Sequence, residues 1–168
     1  MILTIEELKS EIKNKDTIIC SGWFDLFHIG HLNFLKNAKK LADYLIVVVR
    51  NDTDGKYIKG ENRPIINQQN RLEIIDSLKC VDYTILSDNF TNQNKLTRKL
   101  DKKSLSSWDK YISIIEEIKP NKVFSLWETL GHNGFGKYIE TLGIKVIYTD
   151  RFKGISTTDI ERKLKIAK

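Results

Sequence analysis

A chain of 168 residues has the length of one ordinary domain, and at 40% hydrophobic and 30% charged it is too apolar to be wholly disordered, so one folded unit over residues 1–168 is expected. Its net charge of +6 is spread along the chain and offset by 22 acids, which suits small anionic partners; with no RNA-reading aromatic motif, nucleic acid is not expected. The longest apolar run, Leu45 to Val49, is far short of the about 20 residues a membrane span needs, and Glu6, Glu7 and Glu11 do not suit a leader peptide, so a cytoplasmic protein is expected.

Thr4 followed by Glu7 is a capping-box pattern, and Ile5, Leu8 and Ile12 then recur at helical spacing, which predicts a short helix over 4–14. Thr17 to Cys20 is a β-favouring run ending in Ser21-Gly22, and Tyr44 to Val49 is a second. Between them, Leu32, Leu35, Ala38 and Leu41 share one face of a predicted crossover helix, completing a βαβ unit. A helix follows Pro64, with Leu72, Ile75 and Leu78 on one side, then a strand at Tyr83 to Leu86 and a helix around Ser107 to Ile118. Strands at Lys122 to Leu126 and Ile144 to Tyr148 flank another helix, and a last helix starts at Thr157. This alternation predicts a doubly wound α/β sheet of about five parallel strands flanked by helices, with ligands beyond the strands' carboxyl ends. The polar segment from Ser87 to Ser106 reads as a long loop, flexible over 88–106. Cys20 and Cys80 lack any metal-ligand spacing and read as buried thiols, and no metal-ligating residues are expected.

The segment from Ser21 to His31 leaves the first strand and enters the next helix. A helix start presents free N–H groups and the positive end of the dipole, which suits a phosphate. His28 and His31, three residues apart around Gly30, can both address such an anion; the competing reading makes them ordinary polar residues of a tight turn. Asp25 reads as a turn residue whose carboxylate caps backbone N–H groups. Trp23 and Phe24 read as packing residues that offer backbone atoms to a nucleotide.

The pattern Gly22-x-Phe24-Asp25-x-x-His28-x-Gly30-His31 after a first strand resembles the signature of the cytidylyltransferase-like nucleotidyltransferases. Lys59-Gly60 with Arg71 further on, and Arg151-x-x-Gly154-Ile155-Ser156-Thr157-Thr158, extend the resemblance over about residues 17 to 164. It implies a Rossmann-like fold and transfer of a nucleoside monophosphate from a triphosphate, with Mg²⁺ accompanying it, to the phosphate or phosphonate of a small alcohol or sugar. By the same resemblance His28 and His31 contact the triphosphate, Lys59 neutralises its α or β phosphate from a loop, and Arg151 with the Ser156, Thr157 and Thr158 hydroxyls holds the β and γ phosphates. Arg71 would bind a nucleotide or acceptor phosphate.

The closing motif is similar to cytidylyltransferases and favours CTP, the expected nucleotide. The Lys59-Gly-Glu-Asn-Arg63-Pro64 run, with Arg71 after it, looks like heptose-phosphate adenylyltransferases and archaeal FAD synthetases and favours ATP, the alternative. Where the family has Gly-Asp after the fourth strand, this chain has Ser125-Leu126-Trp127-Glu128, and Ser125 to Glu128 are expected to border the nucleobase. A regulatory module that binds nucleotide without turnover is a further alternative. Gly131 to Gly136 reads as a substrate loop or a plain connection. Small members of the family pair, so a homodimer is expected.

Overall fold

The computed structural model describes residues 1–89, 107–126, 128 and 134–166. Of the loop predicted over 88–106, all but the first two residues lies outside the described residues, and Ser87–Asn89 forms a single 3-10 turn. Helix α1 (Ile5–Glu11) begins on the predicted capping box, with the Thr4 side chain accepting from Glu7 N–H while Glu7 answers the Thr4 N–H at 2.8 Å. The other elements are β1 (Thr17–Gly22), α2 (Ile29–Lys39), β2 (Tyr44–Val49), α3 (Asp52–Lys59), α4 (Gln68–Asp76), β3 (Tyr83–Leu86), α5 (Ser107–Ile118), β4 (Lys122–Leu126), α6 (Phe135–Thr141), β5 (Lys145–Thr149) and α7 (Thr157–Ile166).

The five strands form one parallel sheet in the order β3-β2-β1-β4-β5. Its faces follow the two-residue alternation of the strands. Ile19, Ile46, Val48, Ile85 and Val123 pack in one cluster with residues of α1, α5 and α6. Ile18, Cys20, Leu45, Val47 and Val49 form the other cluster with residues of α2 and α4. Burial on both faces explains why β2 reads as an unbroken apolar run. Each such Ile, Leu or Val contributes about 1.5–3 kcal/mol of burial.

The β1–β2 ladder continues to Gly22 and Val49, whereas β1 meets β4 only through Ile18–Lys122 and Ile19–Val123. Strand order reverses between these two strands, and their separation beyond Ile19 opens a crevice above the carboxyl edge.

Three expectations need correction. Lys59 is the last residue of helix α3, not a loop residue. That helix has no apolar stripe, leaving Tyr57 and Ile58 exposed, and is set by the Asn51 side chain, which accepts from Asp54 N–H at 2.7 Å. Cys80 is only partly buried, while Cys20 is fully buried in the sheet. Leu41 lies past the end of α2 and is exposed.

Candidate active site

The crevice is a cleft of about 700 Å³, within the usual size of a small-ligand site. A second groove, lined by Lys9, Lys13, Lys15 and the Glu116-Glu117 pair, lies by the amino-terminal ends of β1 and β4, away from this chemistry.

The cleft's floor is the turn after β1. Phe24 and Leu26 both take left-handed backbone conformations, at φ 54° and 47°, a cost of about 1–2 kcal/mol each for residues with a side chain. Asp25, 2% exposed, stabilises the turn: its carboxylate accepts from Leu26, Ile65 and Ile66 N–H at 3.0–3.1 Å, and the Arg63 guanidinium lies 3.0 Å away. Arg63 also pairs with Glu161 on α7. The expectation that Asp25 caps backbone groups is met, and its partners are the distant 65–66 backbone as well as its own turn.

The turn delivers His28 to the start of α2. Gly30 N–H donates to His28 Nδ1 at 3.1 Å, which leaves the ring proton on Nε2. A Cβ on Gly30 would stand 2.9 Å from the His28 ring and 3.4 Å from the Ile155 carbonyl oxygen, so glycine is required for the close approach of the ring and the α7 entry. The His28 and His31 rings stack with centroids 3.9 Å apart. Burial lowers both pKa values; His31, with His28 and Lys59 adding to the effect, falls to about 3. Both imidazoles are therefore neutral donors at pH 7. His31 Nδ1 is buried without a hydrogen-bond partner among the described residues.

The cations come from other elements. The Lys59 ammonium sits 4.6 Å from the Trp23 ring centroid, and burial together with Arg63, Arg50 and Arg151 pulls its pKa down. Arg151, after β5, is exposed and forks onto Glu128 at 2.9 and 3.1 Å. At the start of α7, Ser156 Oγ donates to Asp159 at 2.6 Å and accepts its N–H at 3.2 Å, while Thr157 Oγ1 donates to the Asp25 carbonyl at 3.1 Å.

The sequence placed most of these residues together. Gly22, Trp23, Phe24, His28, Gly30, His31, Lys59, Arg151, Ile155, Ser156, Thr157 and Thr158 all line the cleft. Four expectations are altered. Arg71 is fully buried on α4: its guanidinium donates to the Ile66 and Trp23 carbonyls and to Asp52 at 2.6 Å, so it braces the floor and does not face a phosphate. That contact also occupies the Trp23 carbonyl, so Trp23 presents its indole to the cleft. The Ser156 and Thr157 hydroxyls are committed to capping and to Asp25, leaving backbone N–H groups and the Thr158 hydroxyl for a ligand. Gly154 and Glu128 are not among the cleft-lining residues; Glu128 reaches the cleft only through Arg151. Trp127 and residues 131–133 of the glycine-rich stretch lie outside the described residues.

Sequence reasoning missed Arg50, Trp108 and Tyr111, which also line the cleft. A charged residue closing the buried run of β2 was the available signal for Arg50. Trp108 and Tyr111 follow the poorly patterned 88–106 segment and gave none.

The cytidylyltransferase-like family profile matches residues 19–163. Among curated relatives, the bifunctional protein HldE of Desulfatibacillum aliphaticivorans is 34% identical over 163 residues, which covers 93% of this chain and 29% of that protein. The bifunctional protein HldE of Haemophilus influenzae (strain PittGG) is 30% identical over 172 residues, covering 99% of this chain and 32% of its own length. The chain thus spans about a third or less of these relatives. A solved structure of a lipopolysaccharide core biosynthesis protein from Thermoplasma volcanium GSS1 superposes with a TM-score of 0.59 at 25% identity, covering 83% of this chain and all of that one.

Proposed function

We propose, on the premise that this chain belongs to the cytidylyltransferase-like family of nucleotidyltransferases, that it moves a nucleoside monophosphate from a nucleoside triphosphate onto the phosphate or phosphonate of a small alcohol or sugar, releasing pyrophosphate. The observation that carries this reading is the stacked, neutral His28–His31 pair at the start of α2, against the start of α7 and beside Lys59. Two helix N-termini supply N–H groups and positive dipole ends for a polyanion. The imidazoles supply donors that need no deprotonation, and Lys59 and Arg151 supply charge. In such a reaction the protein forms no covalent bond; fixed donors holding both substrates in line account for the rate. Mg²⁺ comes with the triphosphate, and among the described residues no group of three His, Cys, Asp or Glu side chains could hold a metal.

The Lys59 to Pro64 run, which resembles the heptose-phosphate adenylyltransferases, supports ATP as the donor. The second reading, CTP, is favoured by the Arg151 to Thr158 motif. Pyrophosphate release from ATP, CTP, GTP and UTP with a panel of sugar and alcohol phosphates separates them, with ATP expected to exceed CTP. His28→Ala and His31→Ala should each lower turnover at least ~10²-fold while remaining folded, as expected for lost transition-state donors. Wild-type rates in both folded variants would exclude nucleotidyl transfer at this site.

A further inference from the structure

The alternation that sorts the sheet also gives the cleft two ends. Ile46 and Val48 of β2 belong to the cluster packed with α1 and α5, and Arg50, two residues on, continues to that side past the carboxyl edge. There its guanidinium lies 4.6 Å from the Trp23 ring centroid and 4.0 Å from that of Trp108 on α5. The residue is 3% exposed, yet it lines the cleft.

Its surroundings leave the charge unbalanced. Nη2 donates to Ser21 Oγ at a long 3.3 Å, and Nε is buried without a hydrogen-bond partner. Among the described residues no carboxylate forms an ion pair with it, and Asp54, which attracts it at longer range, is held by Lys110 at 2.7 Å. Burial brings the guanidinium down to about 10, so it stays cationic at neutral pH. A buried cation without a counterion is costly. Two indole faces offset part of that cost, and an anion in the cleft would offset the rest.

In an in-line displacement the attacking and leaving groups lie on opposite sides of phosphorus. The helix N-termini suited to pyrophosphate stand at the α2 end, and Arg50 stands at the α5 end, joined through the Trp23 indole that also carries Lys59. We propose that Arg50, held between Trp23 and Trp108, binds the phosphate or phosphonate of the acceptor, the group whose oxygen attacks the α-phosphorus. This rests on the nucleotidyl-transfer reading above. The acceptor oxygen forms its bond to the α-phosphorus with its own electron pair, the bond from that phosphorus to the bridging oxygen breaks, and pyrophosphate leaves with that pair. A fully ionised acceptor needs no proton transfer, and a planar guanidinium fork matches two phosphate oxygens.

The test uses inorganic phosphate as the probe and the whole chain saturated with pyrophosphate, read by calorimetry. Wild-type protein should bind one phosphate beside pyrophosphate. Arg50→Gln, with its fold checked by circular dichroism, should weaken that phosphate at least ~10-fold while changing pyrophosphate affinity less than ~2-fold, because only one end loses its cation. Undiminished phosphate binding in the variant, or equal losses of phosphate and pyrophosphate, would overturn the proposal. Should Arg50→Gln not fold, Arg50→Lys keeps the charge and loses the fork. It should weaken phosphate at least ~3-fold, and wild-type affinity there, or no phosphate binding by the wild type, overturns the proposal equally. Absence of pyrophosphate binding by the wild type would instead remove the nucleotidyl-transfer reading, and Arg50-dependent phosphate binding in that case would still support the anion site.

Discussion

His31 is where pH should act on the folded protein most directly. Its imidazole titrates near 6.5 when unfolded and is pushed to about 3 in the fold, chiefly by burial. Between those values the unfolded chain holds the extra proton, so stability rises with pH and is lost on acidification below 6.5. This one group should remove about 2 kcal/mol between pH 7.5 and pH 5. Urea unfolding at both pH values should show His31→Asn losing about that much less than the wild type; equal losses would mean that the imidazole is not held neutral by the fold. Arg151 is the opposite case. Its pair with Glu128 is exposed on both sides, and such pairs contribute about 0–1 kcal/mol, so Arg151→Ala should leave stability nearly unchanged. Calorimetry should nonetheless show triphosphate binding weakened ~10-fold and monophosphate binding much less, since the lost cation would meet the β and γ phosphates. Equal losses would place Arg151 away from both.

At the scale of elements, the site depends on a clamp that draws the turn after β1, the start of α3 and the entry to α4 together. Arg71 ties the Trp23 carbonyl, the Ile66 carbonyl and Asp52, and Asp52 and Gln68 in turn each donate a backbone N–H to the other's side-chain oxygen at 2.9–3.0 Å. Arg71 is fully buried but Asp52 is 30% exposed, so removing the guanidinium leaves the Trp23 and Ile66 carbonyls without this donor and leaves a partly solvated carboxylate, at a cost of about 1–3 kcal/mol. Arg71→Met should therefore lower unfolding stability by that order while the folded fraction keeps measurable triphosphate affinity; wild-type stability would show the guanidinium to be idle. This clamp also marks the limit of what could be read from the sequence. Strands such as Tyr44 to Val49 announce themselves by composition, and the Ser21 to His31 motif by spacing, because both signals are local. The role of Arg71 depends on a carbonyl 48 residues earlier in the chain, and α3 is held by caps and neighbours with Gly55 at its centre, where a Cβ would stand 2.6 Å from Pro64. For Arg50 only a charge closing the run of β2 was legible; its setting was hidden, since its two indoles come from positions 23 and 108 and meet only in the folded sheet.

For the molecule as a whole, the two edges of the sheet differ. The outer edge of β3 is paired: Leu3 N–H donates to the Thr84 carbonyl at 3.0 Å and Thr84 N–H to the Met1 carbonyl at 2.9 Å. Among the described residues β5 pairs only with β4, and Leu142 before it and Phe152 after it are 40% and 41% exposed. An open strand flanked by apolar side chains is a template for another chain, and closed pairing of two copies removes that edge from solvent. A homodimer through β5 is therefore the expected assembly, and light scattering at working concentration should give twice the chain mass. Leu142→Asp, which puts a charge beside that edge without touching the cleft, should shift the mass toward the monomer. A monomeric wild type would remove the dimer, and a Leu142→Asp protein that stays fully dimeric would move the interface elsewhere.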